Sequence, residues 1–243
     1  MKYAVKTDIG KRAHNEDSYL VPPEGCDACL FAVADGMGGH AAGAVASSLL
    51  VDGLSGNTVK FKTDREIKQL KSLIERVNLG VYKTAEDDES LRGMGSTLVC
   101  VLVLGKKYIA ANVGDSRLYH FDGETLKRIT IDHSFVEQLV MQGSITREEA
   151  HVHPLRNIIT RSMGASPTVD VDIFEHDWHP GDILLLCSDG LHGALLEDEI
   201  VSVLQSDKTL DEMCDTLTQS ALDNGGTDNI TLILIQCEED EQA

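Results

Sequence analysis

Nine short apolar runs limit what this chain can fold into. They fall at residues 3–7, 29–34, 97–104, 108–113, 117–121, 126–129, 169–174, 183–187 and 230–236. Between residues 97 and 129, four of them follow one another across turns such as Gly105-Lys106 and Asp122-Gly123, which have hairpin chemistry. Connections that short cannot carry a parallel crossover, so the pairing there is antiparallel. Val169, Val171 and Ile173 alternate with Asp170 and Asp172 and predict a strand with one wet face, whereas the continuous run 183–187 predicts burial on both faces. Helices are announced by Ser or Thr followed three places on by Glu, at Thr63…Glu66, Ser134…Glu137, Thr146…Glu149 and Thr209…Glu212. Asp132 and Ser134 both read as helix caps. The stripe Ile67, Leu70, Ile74, Val77, Val81 and the stripe Leu210, Met213, Cys214, Leu217, Ala221 read as core contacts. The order is not the strict alternation of a doubly wound parallel sheet. It fits an α+β chain, antiparallel sheet flanked by helices in layers.

Acidic residues stand where these runs end. Asn15-Glu16-Asp17 follows the first run, with Arg12 just before it. Asp35-Gly36 ends the second, in the stretch Phe31-Ala32-Val33-Ala34-Asp35-Gly36-Met37-Gly38-Gly39-His40, which reads as strand, glycine-rich turn and the start of a helix. Gly114-Asp115-Ser116-Arg117 sits between two runs, Ser188-Asp189-Gly190 ends another, and Gly226-Thr227-Asp228-Asn229 precedes the last. Singly, each is an ordinary turn residue. Gathered at one sheet edge, they would repel and raise one another's pKa, an arrangement that bound cations make sensible. Oxygen donors without paired His or Cys point to Mg²⁺ or Mn²⁺ rather than zinc. A shared aspartate is the usual form of a two-metal hydrolase.

Composition narrows the partners. A net charge of −19, from 40 acidic and 21 basic residues, argues against nucleic acid or an anionic membrane surface, but allows a phosphorylated substrate if local cations offset the charge. No apolar stretch is long enough to span a bilayer and the first residues do not resemble a signal peptide, so a cytoplasmic protein is expected. With 243 residues, 42% of them hydrophobic, the chain can bury one sizeable core. Four of the six cysteines lie in apolar runs, where a thiol acts as a small hydrophobe. Cys26-Asp27-Ala28-Cys29 is a CxxC with no second pair at zinc-finger spacing; chance spacing at a strand entrance is favoured over a redox or metal role. No cysteine has an arginine six places on, which counts against a cysteine-based phosphatase.

Eight motifs, in order along nearly the whole chain, carry a resemblance to a known family. They are Arg12…Asn15-Glu16-Asp17, Asp35-Gly36-Met37-Gly38-Gly39-His40, Gly93-Met94-Gly95-Ser96-Thr97, Gly114-Asp115-Ser116-Arg117, Thr130-Ile131-Asp132-His133-Ser134, His153-Pro154-Leu155-Arg156-Asn157, Ser188-Asp189-Gly190-Leu191 and Gly226-Thr227-Asp228-Asn229-Ile230-Thr231. With them the chain resembles bacterial metal-dependent Ser/Thr protein phosphatases of the protein phosphatase 2C type. The resemblance implies a four-layer α-β-β-α sandwich of two antiparallel sheets. It also implies one catalytic domain over residues 1–243, with a flap at about 143–160.

It further implies two Mn²⁺ or Mg²⁺ ions bridged by Asp35. Gly36 would offer its carbonyl to one of them and Asp189 and Asp228 would bind the other. Asp17, with Glu16, matches the acidic pair that holds metal-bound waters. Arg12 matches the phosphate-binding arginine, whose fork suits a phosphate dianion, and His40 matches the general acid. Asp115, with Asp189, matches a weaker third metal site; its plain alternative is pairing with Arg117 or with turn amides. The expected reaction is direct attack of a metal-bridging hydroxide on phosphoserine or phosphothreonine, with no covalent enzyme intermediate. Phosphorylated proteins would be the substrates, a cognate Ser/Thr kinase the partner, and a monomer the expected state. One departure from the family pattern is that Gly10 stands two residues before Arg12 where many relatives have three. The alternatives are a two-metal hydrolase of small phosphate esters, an inactive phosphopeptide-binding relative, and a purely structural or regulatory protein, for which the carboxylate pattern would serve no purpose.

Overall fold

A strand that is apolar on both faces needs cover on both faces, and this chain meets that need with two sheets and two helical layers. The computed structural model describes residues 1–23, 25, 26, 28–38, 42–56, 61 and 64–238. The strands are β1 (Lys2–Asp8), β2 (Asp17–Leu20), β3 (Cys29–Met37), β4 (Gly95–Ser96), β5 (Leu98–Leu104), β6 (Lys107–Val113), β7 (Arg117–Phe121), β8 (Leu126–Arg128), β9 (Asp172–Asp177), β10 (Ile183–Cys187) and β11 (Ile230–Gln236). One sheet has the order β1-β11-β10-β7-β8. The other has the order β2-β3-β5-β6-β9, with β4 paired to β3. Every pairing within them is antiparallel. The helices are α1 (Ala42–Gly56), α2 (Glu66–Asp87), α3 (Phe135–Met141), α4 (Arg147–His151), α5 (Asp189–His192), α6 (Glu197–Leu204) and α7 (Leu210–Asp223).

Period-two alternation sorts the strand side chains into three cores. Val99, Val101 and Val103 of β5 face Leu184, Leu186, Ile233 and Ile235 of the other sheet. Leu98, Cys100 and Leu102 face away, onto Leu50 of α1 and Leu70, Ile74 and Val77 of α2. Ile183, Leu185 and Cys187 of β10 face the other outer layer, with Ile200 of α6 and Met213 and Leu217 of α7. The result is the α-β-β-α sandwich, and the run 183–187 is buried on both faces as read from its sequence.

Several local expectations are corrected. The four runs from 97 to 129 are two hairpins in different sheets, because the chain crosses from β6 to β7 at Gly114. Gly114 makes that crossing with φ +107, and a Cβ there would meet the Thr97 side chain at 2.7 Å. The strand expected over 169–174 starts only at Asp172, although Val169 and Val171 still pack on the α1–α2 side. Ile67 is exposed rather than part of its stripe. Thr63 lies outside the described residues, and α2 has no side-chain cap. Thr146 and Thr209 form complete capping boxes. The Ser134 hydroxyl caps α3, but Glu137 does not return the bond; its carboxylate accepts from Arg128 and Arg147 instead. Asp132 caps nothing and accepts from Arg117 at 2.7 Å. Cys26 and Cys29 are joined by a disulfide, so their spacing is not incidental. Among the described residues, no helix is long and apolar enough to cross a membrane.

Candidate active site

Antiparallel register brings the acidic residues to one end of the sandwich. Asp17 opens β2 and stands directly opposite Asp35 on β3, an unfavourable pairing for two like charges unless something binds them. Asp35 and Gly36 lie inside β3 rather than at its end, since the strand runs on to Met37 and pairs there with β4. Asp115 occupies the crossing between the sheets and is 5% exposed. Asp189 opens α5 directly after β10, and Asp228 precedes β11. β10 and β11 are neighbours in the sheet, so the last two carboxylates arrive side by side.

Each carboxylate is held by its surroundings. Asp17 accepts from the Ser188 hydroxyl at 2.7 Å. Asp35 and Asp189 lie close enough to act on one another's charge. Arg12 donates through Nη2 to Asp228 Oδ2 at 2.7 Å and through Nε to the Thr227 carbonyl at 3.1 Å. Gly10 allows this: it turns with φ +59, and a Cβ there would fall 2.1 Å from the Asp228 carbonyl oxygen. The turn whose length departs from the family pattern therefore packs directly on the Asp228 loop. Asn229 staples the same region, donating to the Ile9 and His14 carbonyls and accepting from the Glu16 amide.

Electrostatics mark the group as unbalanced. Burial, with Ser188 and Thr231 acting against it and Asp189 and Asp228 adding to it, pushes Asp17 up to about 7. Burial followed by the Asp228 charge pushes Asp189 to about 6. Burial, then Asp189, Asp17, Asp115 and Asp228 in turn, raise Asp35 well above the usual carboxylate range. Asp115 is raised in the same way by burial, Asp189 and Asp132. Among the described residues, the buried side-chain oxygens without a hydrogen-bond partner include Asp17 Oδ1, Asp115 Oδ1 and Asp189 Oδ1. Unpaired buried carboxylate oxygens are costly, and hard cations bound by oxygen would satisfy them. The donor chemistry therefore fits Mg²⁺ or Mn²⁺. Among the described residues, however, no three His, Cys, Asp or Glu side chains already form a closed metal cage.

The other expected residues divide. Glu16 is present through its backbone, with its carbonyl accepting from Gly36 N at 3.1 Å and Ser47 Oγ at 2.6 Å. Its carboxylate lies instead against the first turn of α1, where a Cβ on Gly43 would sit 2.7 Å from Oε2. Arg117 pairs with Asp132 rather than with Asp115, while the Asp115 carboxylate still takes its own turn amide. His40 lies outside the described residues. His133 is buried and accepts from Gly114 N through Nδ1 at 3.0 Å, while His153 accepts from Leu155 N in the 143–160 segment. Sequence reasoning missed Ser188, Asn229 and His192, which orient the carboxylate-bearing segments. Their one signal is a polar residue beside an acidic one next to a buried strand.

The model of the family described as protein phosphatase 2C matches residues 6–229. The chain belongs to this family. The phosphatase is 41% identical over 236 residues to the serine/threonine phosphatase stp of Listeria monocytogenes, covering 95% of this chain and 94% of that one. Its fold matches the crystal structure of the serine/threonine phosphatase Stp1 from Staphylococcus aureus with a TM-score of 0.94, at 39% identity, covering 98% of this chain and 95% of that one. It also matches the catalytic domain of the serine threonine protein phosphatase PstP, solved in complex with two manganese ions, with a TM-score of 0.87 at 34% identity and 98% coverage of both chains. The four-layer architecture and the enzyme class read from the motifs are thus those of its relatives.

Proposed function

We propose that this phosphatase hydrolyses phosphoserine and phosphothreonine in proteins, using two divalent cations that share Asp35. The observation that carries this reading is the convergence of Asp17, Asp35, Asp115 and Asp189 on one end of the sandwich, three of them with an unpaired buried oxygen. Asp35 and the Gly36 carbonyl would hold one ion, and Asp35, Asp189 and Asp228 the other. Asp17 would hold waters on them, with Ser188 fixing its carboxylate. Asp115 with Asp189 would take a third ion more weakly. Bound cations would supply Lewis-acid charge for the phosphoryl oxygens and lower the pKa of an attacking water towards neutrality.

The chain's own groups do the rest. The Arg12 side chain is 54% exposed, and its guanidinium can turn from Asp228 to a phosphate dianion, which it matches bidentately. His40 in its protonated form would give a proton to the departing serine or threonine alkoxide. The chain works as one catalytic unit over residues 1–243. Segment 143–160 acts as a flap, tied to the core where Thr160 N donates to the His133 carbonyl at 2.8 Å and where Arg147 donates to Glu137. A cognate Ser/Thr kinase, a monomeric state and a cytoplasmic location complete the reading. The test is phosphate release from matched phosphothreonine and phosphotyrosine peptides with Mn²⁺, Mg²⁺ or chelator. Metal-dependent release from the phosphothreonine peptide is expected; undiminished turnover after exhaustive chelation would refute the two-metal reading.

A further inference from the structure

Gly93-Met94-Gly95-Ser96-Thr97 supplies no side chain to the proposed metal ligands, yet its last residue touches the backbone on both sides of them. Thr97 is fully buried. Its Oγ1 accepts from the Asp35 amide at 3.0 Å and lies 2.7 Å from Ser116 Oγ. Its own amide donates to the Asp35 carbonyl at 2.8 Å, where Ser96 Oγ also donates at 2.9 Å. Its methyl side packs under Gly114 so closely that a Cβ on Gly114 would fall 2.7 Å from Thr97 Cγ2. One side chain therefore joins Asp35, on β3 of one sheet, to the Gly114-Asp115-Ser116 crossing that enters the other.

The crossing is gripped from its far side as well. Gly114 N donates to His133 Nδ1 at 3.0 Å, His133 N donates to the Gly114 carbonyl at 2.8 Å, and His192 Nε2 donates to the Asp115 carbonyl at 3.0 Å. Buried carboxylates that are ionised repel one another, so their separation has to be imposed by the backbone that carries them. Thr97 is the side chain that bonds to the Asp35 backbone and, through the Ser116 hydroxyl, to the crossing.

We propose that Thr97 is a positioning residue for the metal centre. Its hydroxyl fixes the Asp35 backbone, and so the affinity of the two ions that share Asp35, and through Ser116 it fixes the crossing that carries Asp115, and so the affinity of the weaker third ion. This rests on reading Asp35 as the shared metal ligand. Thr97→Val keeps the shape but leaves the Asp35 amide and the Ser116 hydroxyl without their partner; Thr97→Ser keeps the hydroxyl. Loss of groups that orient metal ligands typically costs about 10–100-fold in metal affinity.

The experiment is calorimetric titration of Mn²⁺ into the chelator-stripped full chain, for the parent, Thr97→Val, Thr97→Ser and Ser116→Ala, with thermal melts of each stripped protein. Thr97→Val should bind Mn²⁺ about 10–100-fold more weakly, and Thr97→Ser should return to within about threefold of the parent. A Thr97→Val protein that melts earlier but binds Mn²⁺ like the parent would make Thr97 a packing residue and overturn the proposal. So would Thr97→Ser binding as weakly as Thr97→Val. If Thr97→Val is not recovered folded, Ser116→Ala decides, because it cuts only the link to the crossing: weaker Mn²⁺ binding at the third, low-affinity site supports the proposal and unchanged binding there overturns it. A parent chain that takes up no Mn²⁺ would refute the two-metal reading itself, a failure distinct from a parent that binds and a variant that binds equally.

Discussion

Replacing Arg128 with methionine should cost this phosphatase about 3 kcal/mol of stability, at the low end of what breaking a buried ion pair costs. Arg128 Nη2 donates to both Glu137 oxygens at 2.9 Å, and Nη1 reaches Asp132 at 3.4 Å. The Arg128, Glu137 and Asp132 side chains are only 12%, 7% and 5% exposed. Methionine fills much of the same volume but leaves Glu137 with Arg147 alone, and Arg147 is 60% exposed. Asp132 keeps Arg117, so the cost falls on Glu137 and should not reach the upper end of the range. For a chain of 150–250 residues each kcal/mol moves the melting temperature by about 2–4 °C, so the loss should be about 6–12 °C. Thermal unfolding of the stripped protein, followed by circular dichroism, measures it without a metal contribution. Arg128→Met combined with Glu137→Met should recover most of the loss, because removing both partners leaves no unpaired buried charge. A single-variant loss below about 2 °C, or a double variant that loses the sum of the two singles, would refute the account.

Other outcomes follow from the same geometry. Asp35→Asn should abolish nearly all Mn²⁺-dependent turnover while leaving far-ultraviolet circular dichroism unchanged. It should also remove the rise in melting temperature that millimolar Mn²⁺ gives the parent by mass action; an equal rise in parent and variant would contradict a shared ligand. His40→Ala should slow a phosphothreonine peptide more than nitrophenyl phosphate, since only the alkoxide needs protonation on leaving; equal losses would remove His40 from that role. Asp115→Ala should keep the two tight Mn²⁺ sites, lose the weak one in calorimetry and lower phosphopeptide turnover. A variant with the parent's stoichiometry and rate would make Asp115 a turn residue.

What was legible in the sequence is what local chemistry decides. Short apolar runs marked nine of the strands, though not β2 or β4, and the boxes at Thr146 and Thr209 marked two helix starts to the residue. Both depend on side chains within a few positions of one another. Asp35 and Asp189 stood out because each lies beside glycine at the margin of an apolar run, and Asp228 because it follows Gly226 two places on before the last run, all within motifs that follow the family order. The tertiary structure decided the rest. The run 117–121 reads identically whether it extends a meander or enters a second sheet; choosing the second sheet put Asp115 between the layers and made Thr97 its neighbour. The register that sets Asp17 opposite Asp35 depends on a four-residue strand too short for a periodicity signal. Asp132 has the composition of a cap, but a helix cap and an ion pair use the same carboxylate, and Arg117 and Arg128 claimed it only once folding had brought β7, β8 and the start of α3 together. Local patterns specify which face a residue prefers; which partners stand on that face is settled by chain crossings and register, which no short window of sequence contains.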